Sequence, residues 1–485
     1  MEEFKDNADP RKPSLPWALL CFLLPIAVIL YGTVIISLRP PVLPLIVAVA
    51  LAGLLCLKQG YRWSELQDGM FTALARVQIA VAILVMVGMI ISSWIACGTI
   101  PLLIYWGLKL ITPEYFLLSC LILCSVASVA TGTSVSTMGT VGVALLGMGS
   151  AMGYPVHITA GAVISGAYFG DKMSPISDTT NIAASVCEVP LFQHIGSMMW
   201  TTVPAFLVCA GLYTYMGANQ PLEAASAATG IEAILSGLEA NYSLHWAGFI
   251  PPALMLLLAF MRFPVLPVLL VCLVSAVILC FFEGLGLLQI GALLTGGFKS
   301  ATGVKAIDSL LSRGGVMSVM ATVLLMSSGV AFGGILEKAR VFDVLIEALL
   351  KNVKKAGGLI ASAVATGFLI NLGTGSQVLA VIVPGRAFNK AFKKADIHGA
   401  VLSRSCEDTG TITCPLVPWS VHAFIIMGIL GVSAWDYAFY SFLNWIVPIF
   451  SILLAFLKIG VWHRDGRPYN LGLRITPERA VTEEK

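Results

Sequence analysis

The stretch GAYFGDKMSPISDTTN, residues 166–181, places two carboxylates and a lysine inside otherwise apolar sequence. The charges belong to Asp171, Lys172 and Asp178, and hydroxyl and amide side chains surround them. One Asp, Lys or Arg at the centre of a bilayer costs roughly 2.5–3.5 kcal/mol, so charges at that depth usually have a function. A glycine and a proline inside the stretch disfavour a continuous helix. We predict a broken helix whose freed carbonyls must be satisfied by protein, water or an ion.

The composition of the whole chain is that of a membrane protein. Of its 485 residues, 58% are hydrophobic and 11% are charged, whereas a soluble domain carries about 25% charged residues. Apolar runs reach the ~18–20 residues that cross a bilayer, for example residues 16–37, 79–97, 263–282 and 437–459. We therefore predict an all-α polytopic membrane protein with about 11–13 transmembrane helices. The net charge of +3, without a basic arm, argues against nucleic acid as a partner.

A second polar stretch, SRSCEDTGTITCP at residues 403–415, repeats the composition of the first. It contains an arginine and two adjacent acids, followed by hydroxyls, a glycine and a proline. Before each polar stretch lies a cluster of small and polar residues, at 131–134 and 371–377, with the composition of a re-entrant hairpin tip. Glycines in these clusters would let the backbone turn and approach a ligand. Ordinary hydrophilic loops are the alternative, because they are also rich in Ser, Asp, Pro and Gly.

The same order of features recurs in the two halves of the chain, which predicts an internal repeat. The motif PVLP opens a span at residues 41–44 and again at 264–267. The distribution of Lys and Arg over equivalent connectors favours two inverted repeats, each with a re-entrant hairpin and a broken helix. A parallel repeat is the structural alternative. We divide the chain into a cytoplasmic N-terminal tail (1–15), a first transmembrane helix (16–40), repeat 1 (41–216), an extracytoplasmic linker (217–245), repeat 2 (246–462) and a cytoplasmic C-terminal tail (463–485).

The polar stretches and clusters supply the candidate site residues. Carboxylate, hydroxyl, amide and carbonyl oxygens suit a hard cation such as Na⁺, and the same carboxylates can take a proton instead. The predicted ion- or proton-coupling residues are Asp178, as the main binding group, with Asp171, Glu407 and Asp408. The predicted oxygen ligands for a cation or substrate are Thr131, Thr133, Ser134, Ser177, Thr179, Thr180, Asn181, Asn371, Thr374, Ser376, Gln377, Thr409 and Thr411. Lys172 and Arg404 are predicted to pair with neighbouring acids, in a structural or a direct role.

Residues 170–181 and 402–411 resemble the corresponding segments of the NhaC family of sodium/proton antiporters. The similarity extends over residues 15–460. It implies the ion-transporter-superfamily fold, in which a bundle of hairpins and broken helices moves against a scaffold, and it implies sodium coupling at the breaks. Because this group also includes malate/lactate exchangers and amino-acid carriers, transport of an organic solute is an alternative. Arg404 and Arg386 are available to recognise such a solute.

These observations together predict a secondary active transporter rather than an enzyme. The expected activity is Na⁺/H⁺ antiport by elevator-type alternating access in the bacterial cytoplasmic membrane, with both termini cytoplasmic. The alternative is a Na⁺- or H⁺-coupled exchanger of a small organic solute. A channel is disfavoured, because channels usually repeat a filter around an axis by oligomerisation, whereas the repeat here is internal. An intramembrane aspartyl protease is also disfavoured, because Asp171 and Asp178 do not form the short acid signatures of such an enzyme. The expected partners are the lipid bilayer, Na⁺ and protons, with a homodimer left open, and no cofactor is expected.

Overall fold

The computed structural model describes residues 11–38, 41–219, 224–261, 263–351, 353 and 355–477. This part of the chain forms helices, with only isolated β-bridges near its C-terminal end. The helices of the first half are α1 (Leu15–Leu30), α2 (Val42–Lys58), α3 (Trp63–Arg76), α4 (Gln78–Ala96), α5 (Thr99–Leu110), α6 (Phe116–Thr131), α7 (Ser134–Thr137), α8 (Val143–Ala151), α9 (Val156–Met173), α10 (Asp178–Val186) and α11 (Leu191–Ala218).

The second half continues the helical architecture. Its helices are α12 (Ala224–Asn241), α13 (Ile250–Phe260), α14 (Val265–Phe282), α15 (Leu287–Gly296), α16 (Lys305–Leu311), α17 (Val316–Lys338), α18 (Val341–Leu350), α19 (Ala356–Thr374), α20 (Gln377–Lys394), α21 (Gly399–Thr413), α22 (Val421–Leu430), α23 (Ala434–Tyr437) and α24 (Phe442–Leu457). Short π- or 3₁₀-segments lie at Tyr31–Ile35, Pro113–Tyr115, Met138–Gly142, Trp246–Phe249, Cys414–Leu416 and Ala438–Tyr440.

The predicted class, an all-α polytopic membrane protein, is confirmed. Within the described ranges, 8 helices are long and apolar enough to cross a membrane, or up to 10 if each of two bent helix pairs counts as one span. This is fewer than the 11–13 spans expected, because part of the apolar sequence lies in shorter helices. Those shorter apolar helices are Val42–Lys58, Thr99–Leu110, Trp246–Leu258 and Leu287–Gly296.

Proline and glycine set several helix boundaries. Pro155 and Pro190 directly precede α9 and α11, which fits the preference of proline for the start of a helix. Gly132 and Gly375 follow α6 and α19 in the left-handed region, with φ of 70° and 62°. A left-handed glycine is a common way to end a helix, and here each one separates the two arms of a hairpin.

The location predicted for the second break is wrong. Helix α21 runs through the adjacent acids without interruption, and the chain bends by 50° only between Leu416 and Val421. Gly410 lies inside this helix, and a Cβ at this position would lie 2.8 Å from the Ala380 carbonyl group. It therefore permits close packing of α21 on α20 rather than a turn. The first break is likewise confined to residues 174–177, after α9 has ended.

The two halves pack against each other reciprocally. Helices α2 and α3 of the first half contact α17 of the second, and α14 and α15 of the second contact α4 of the first. The α3–α17 crossing is tight, since a Cβ on Gly69 would lie 2.8 Å from the Gly334 carbonyl oxygen. Helix α13 also packs on α14 as α1 packs on α2. This order suggests that α1, which we placed outside repeat 1, has a counterpart in the second half.

Two predicted connecting segments contain folded structure. The predicted linker at 217–245 includes α12, which contacts α5, α8 and α16. The described part of the predicted C-terminal tail, residues 463–477, forms β-bridges with Ile459 and Trp462, which follow α24, and folds back on the helices. Neither segment is therefore a free connector or tail over its described length.

Candidate ion-binding site

Each hairpin tip lies against the break that follows it in sequence. A Cβ on Gly132 would lie 2.6 Å from the side chain of Ile176 in the first break, and one on Gly375 would lie 3.0 Å from the Cα of Ser420 in the second. The Gly375 carbonyl oxygen also accepts a 3.0 Å hydrogen bond from the Val421 N–H. The glycines thus let the backbone of each hairpin tip approach the backbone of the break that follows it. The polar side chains beside the glycines lie at the same contact between tip and break.

Asp171 lies buried at the contact between the first tip and the first break. Its Oδ2 accepts a 2.6 Å hydrogen bond from Ser134 Oγ at the tip, and its Oδ1 accepts a 2.8 Å bond from Ser177 Oγ in the break. Thr179 lies next to Ser177, with the two hydroxyl oxygens 3.2 Å apart. Hydrogen bonds to a carboxylate are among the strong ones, so these hydroxyls fix the orientation of the acid.

Lys172 and Asp408 form an ion pair between the two halves of the chain. Both side chains are completely buried, and Lys172 Nζ donates to Asp408 Oδ1. Thr201 Oγ1 donates to the same oxygen at 3.0 Å, while Arg404 Nε lies 4.0 Å from Oδ2. Lys172 therefore does not pair with Asp171, its sequence neighbour, because successive residues on a helix point in different directions.

Glu407 is completely buried in a different environment from Asp408. In the described part of the chain, neither of its carboxylate oxygens has a hydrogen-bond partner. The charges of Lys172 and Asp171 act on it, and the hydroxyls of Thr179 and Thr411 are close by. An ionised carboxylate is rarely buried without a partner, because burying a charge is costly. Glu407 is thus the acid with free capacity to bind a cation or a proton.

Further buried oxygen atoms on α19, α20 and α21 also lack a hydrogen-bond partner. The buried Oδ1 of Asn371, Oε1 of Gln377 and Oγ1 of Thr411 have no hydrogen-bond partner among the residues described. Asn371 is held in place by its amide, whose Nδ2 donates to the Gly410 carbonyl at 2.8 Å. Over the same residues, no group of three or more His, Cys, Asp or Glu could hold a metal ion. Any cation would therefore rely on hydroxyl, amide and carbonyl oxygens beside single carboxylates.

Asp178, the predicted main binding group, does not join this cluster. It is exposed at the first position of α10, and Asn181 on the same helix is exposed as well. The break ends at Ser177, whose side chain turns toward Asp171, so the next residue starts the helix facing another direction. The charge of Asp178 still acts on Asp171. The structure therefore brings Asp171, Glu407 and Asp408 into the interior and leaves Asp178 outside.

Several predicted oxygen ligands make local hydrogen bonds instead of facing Glu407. Thr374 Oγ1 donates to the Ile370 carbonyl at 2.8 Å, and Thr409 Oγ1 donates to the Ser405 carbonyl at 3.3 Å. Ser376 caps α20 by accepting a hydrogen bond from a backbone N–H. These hydroxyls stabilise the ends and turns of their own helices.

The same holds for the remaining predicted ligands of the first half. Thr131 Oγ1 lies 3.3 Å from Thr137 Oγ1 inside the first hairpin, and the Thr133 carbonyl accepts from Thr137 Oγ1 at 3.1 Å. Thr180 Oγ1 donates to the Lys172 carbonyl at 2.9 Å and so ties α10 to the end of α9. These groups support the site through the backbone.

Helix α11 contributes contacts to the site that the sequence analysis did not predict. Thr201 binds Asp408, the Ser197 carbonyl accepts a 3.4 Å hydrogen bond from Arg404, and His194 Nδ1 lies 2.8 Å from Ser403 Oγ. The sequence does contain a sign of this polar face, because positions 194, 197 and 201 follow the i, i+3, i+7 spacing of one helix face in a mostly apolar helix.

The chain matches the Na⁺/H⁺ antiporter family over residues 166–459. The Na⁺/H⁺ antiporter NhaC of Alkalihalophilus pseudofirmus is 35% identical over 453 residues, covering 93% of this chain and 97% of the relative. The malate-2H⁺/Na⁺-lactate antiporter of Bacillus subtilis is 34% identical, with 94% and 97% covered. The arginine/ornithine antiporter ArcD of Halobacterium salinarum is 32% identical, with 95% and 96% covered. Because the similarity spans nearly the whole length, this chain belongs to the NhaC family of Na⁺/H⁺ antiporters.

Proposed function

We propose that this chain exchanges Na⁺ for H⁺ across the cytoplasmic membrane, with Asp171 and Glu407 as the carboxylates that exchange the ions. The observation that carries this assignment is the completely buried Glu407, whose oxygens lack hydrogen-bond partners among the described residues. Family membership and the name of the NhaC relative support the choice of ions.

The chemistry follows from the cost of burying charge. When Na⁺ leaves, an ionised carboxylate in this interior is unfavourable, so it takes up a proton. When Na⁺ returns, it displaces that proton, and the two ions compete for one acid. Asp408 has a different role, because Lys172 already supplies its counter-charge. It binds that lysine and positions it near Glu407.

The packing supports transport by movement of one body against another. The hairpins and bent helices, α6–α10 and α19–α22, would move as a bundle against a scaffold built around α2–α4, α14, α15 and α17. The reciprocal contacts of α3 with α17 and of α15 with α4 support a two-fold relation between inverted repeats. In this arrangement both termini face the cytoplasm.

Exchange of an organic solute is the second candidate function. It is favoured by the malate/lactate and arginine/ornithine antiporters, which are nearly as similar as NhaC. Against it, Arg404 already has protein partners, because its Nη1 donates to the carbonyls of Ser197 and Gly460 and its Nε lies 4.0 Å from Asp408 Oδ2. The other predicted recognition group, Arg386, is exposed on α20. The site therefore suits an inorganic cation better than an organic anion.

Purified protein in proteoliposomes with an internal pH dye tests the proposal. A Na⁺ gradient should move protons in the opposite direction without any organic solute. Asp171→Asn should reduce this movement to background, whereas the matched variant Asp178→Asn should keep about half of it or more, since the screened field of an exposed charge is weak. Full activity in Asp171→Asn would refute the assignment of the acid. Exchange that occurs only with an added organic solute would favour the second candidate.

A further inference from the structure

A chain of hydrogen-bonding groups leads away from Asp171 through buried hydroxyls. Ser134 Oγ donates to Asp171 Oδ2 at 2.6 Å, and the same hydroxyl interacts with that of Tyr168. The Tyr168 hydroxyl oxygen in turn lies 2.6 Å from Nδ1 of His422. A hydroxyl and a neutral imidazole can each accept one hydrogen while donating another, so these groups form a continuous line along which a proton can be passed.

This chain joins a buried acid to a partly exposed side chain. Ser134 and Tyr168 are completely buried, and Asp171 is buried as well. His422, by contrast, is only half-buried. It is the second residue of α22, a helix that packs on α17 and α4. The imidazole therefore lies at the boundary between the proposed moving bundle and the proposed scaffold, and it is the member of the chain that protons from water can reach.

All four residues belong to the bundle that we propose to move. Ser134 lies on α7, Tyr168 and Asp171 lie on α9, and His422 lies on α22. The contact between Tyr168 and His422 connects the two halves of the sequence. Because the whole chain is built within one body, it keeps its contacts when that body moves, and it can serve Asp171 on either side of the membrane.

We propose that this chain of two hydroxyls and one imidazole is a proton relay between water and Asp171; this rests on the proposed Na⁺/H⁺ exchange, in which Asp171 takes up a proton as Na⁺ leaves. A proton from water binds Nε2 of His422, and the hydrogen on Nδ1 passes to the Tyr168 oxygen. The Tyr168 hydrogen passes to Ser134 Oγ, and the Ser134 hydrogen passes to Asp171 Oδ2. One proton moves in total, since each relay group ends with as many hydrogens as it had before. The reverse sequence releases the proton.

The other buried histidine of the site lacks such a connection. His194 is completely buried, with Nδ1 2.8 Å from Ser403 Oγ, and its Nε2 has no hydrogen-bond partner among the residues that the structure describes. Over the same residues, the oxygens of Glu407 have no hydrogen-bond partner either. Asp171 is therefore the exchanging acid that has a hydrogen-bonded connection to a partly exposed group.

Two modes of exchange separate a relay from a purely structural role. Na⁺-driven proton movement requires Na⁺ binding, movement of the bundle and proton transfer. Exchange of radioactive Na⁺ for unlabelled Na⁺ at alkaline pH requires only the first two steps, because the acids hold Na⁺ in both directions. Both modes are measured in the same proteoliposomes, so a defect in proton transfer alone appears in one mode and not in the other.

Two variants interrupt the relay at different points. Tyr168→Phe removes the hydroxyl and keeps the ring, and His422→Gln removes the two ring nitrogens that pass the proton. We expect each variant to slow Na⁺-driven proton movement about tenfold or more, because a positioned proton-transfer group contributes about 10²–10⁴-fold to a rate and other steps limit part of the wild-type rate. Exchange of Na⁺ for Na⁺ should equal that of the wild type in both variants.

Tyr213 and His157 supply matched controls outside the relay. The buried Tyr213 hydroxyl donates to the Tyr440 carbonyl at 2.6 Å, and the half-buried His157 ring packs on the Tyr440 ring with centroids 4.9 Å apart. Tyr213→Phe and His157→Gln therefore remove the same chemical groups from comparable surroundings without interrupting the chain to Asp171. Both control variants should retain both modes of exchange.

The outcomes distinguish this inference from the proposed function. Loss of proton movement with unchanged exchange of Na⁺ for Na⁺ supports the relay. An equal loss in both modes would mean that Tyr168 and His422 only hold the bundle together, and unchanged proton movement would mean that protons reach Asp171 by another route. Either result overturns the relay while leaving Na⁺/H⁺ exchange intact. A wild-type protein that exchanges Na⁺ for Na⁺ but moves no protons would instead refute the proposed function.

Discussion

The neighbouring acids Glu407 and Asp408 are equally buried but differently surrounded, so their amide variants should behave in opposite ways. Asp408 accepts hydrogen bonds from Lys172 and Thr201. Glu407 has no hydrogen-bond partner in the portion of the chain that the structure describes. Asp408→Asn therefore removes the carboxylate that Lys172 contacts directly, whereas Glu407→Gln changes a carboxylate that has no hydrogen-bond partner among the described residues.

The magnitude of the difference follows from these partners. Removing one member of a buried ion pair costs about 3–5 kcal/mol of folding free energy. We expect that loss for Asp408→Asn, because Lys172 loses the carboxylate that it contacts directly, and the neighbouring Arg404 is a cation that cannot replace it. For Glu407→Gln we expect a free energy of unfolding equal to or above that of the wild type, since an unpaired buried charge is unfavourable. Its Na⁺-driven proton movement should nevertheless fall to background.

Equilibrium unfolding followed by tryptophan fluorescence, together with the proteoliposome assay, measures both effects. The double variant Lys172→Met with Asp408→Asn serves as the control, and it should recover most of the lost stability because neither charge is left alone. Equal destabilisation by Glu407→Gln and Asp408→Asn would refute the division of roles between the two acids. Full exchange activity in Glu407→Gln would refute its role as an exchanging carboxylate.

Three further predictions concern a hydrogen-bond partner of Asp408, the turn of the second hairpin and an acid outside the site. Thr201→Val should lower the free energy of unfolding by about 1.5–3 kcal/mol, as expected for a lost hydrogen bond to a charged group. Thr202→Val should be near neutral, because the Thr202 hydroxyl has no partner among the described residues; equal losses in chemical denaturation would contradict this. Gly375→Ala should cost about 1–2 kcal/mol from its left-handed backbone alone and also impair exchange, whereas Gly211→Ala, with no atom within 4 Å of the added Cβ, should do neither. The Thr302 N–H and neighbouring donors hold the pKa of Asp308 below its ordinary value. The ionised Asp308 therefore stabilises the folded protein above about pH 3.9, the pKa of an unfolded Asp. This stabilisation is lost as the pH falls through the lower pKa that Asp308 has in the folded protein. The difference in unfolding midpoint between wild type and Asp308→Asn should accordingly shrink at low pH, and a difference that grows on acidification would contradict the assignment.

The sequence alone predicted the features that depend on composition and local order. Apolar runs and sparse charge indicated a helical membrane protein, because a bilayer requires backbone groups to be satisfied within each span. The acid-bearing stretches indicated where function lies, since charge within apolar sequence is costly. Both hairpin tips were also predicted, because Gly132 and Gly375 stand beside small polar residues.

Only the tertiary structure decided which charged groups meet. The sequence analysis predicted Asp178 as the main binding group, but the end of α9 buries Asp171 and the start of α10 exposes Asp178. Lys172 selects Asp408 from the other half of the chain rather than its own neighbour, since the direction of each side chain depends on helix phase and on the packing of distant helices. Spacing along the sequence reveals neither the burial of an acid nor its partner in the other half of the chain. For the same reason, the contact between Arg404 and the Gly460 carbonyl could not be predicted from the sequence.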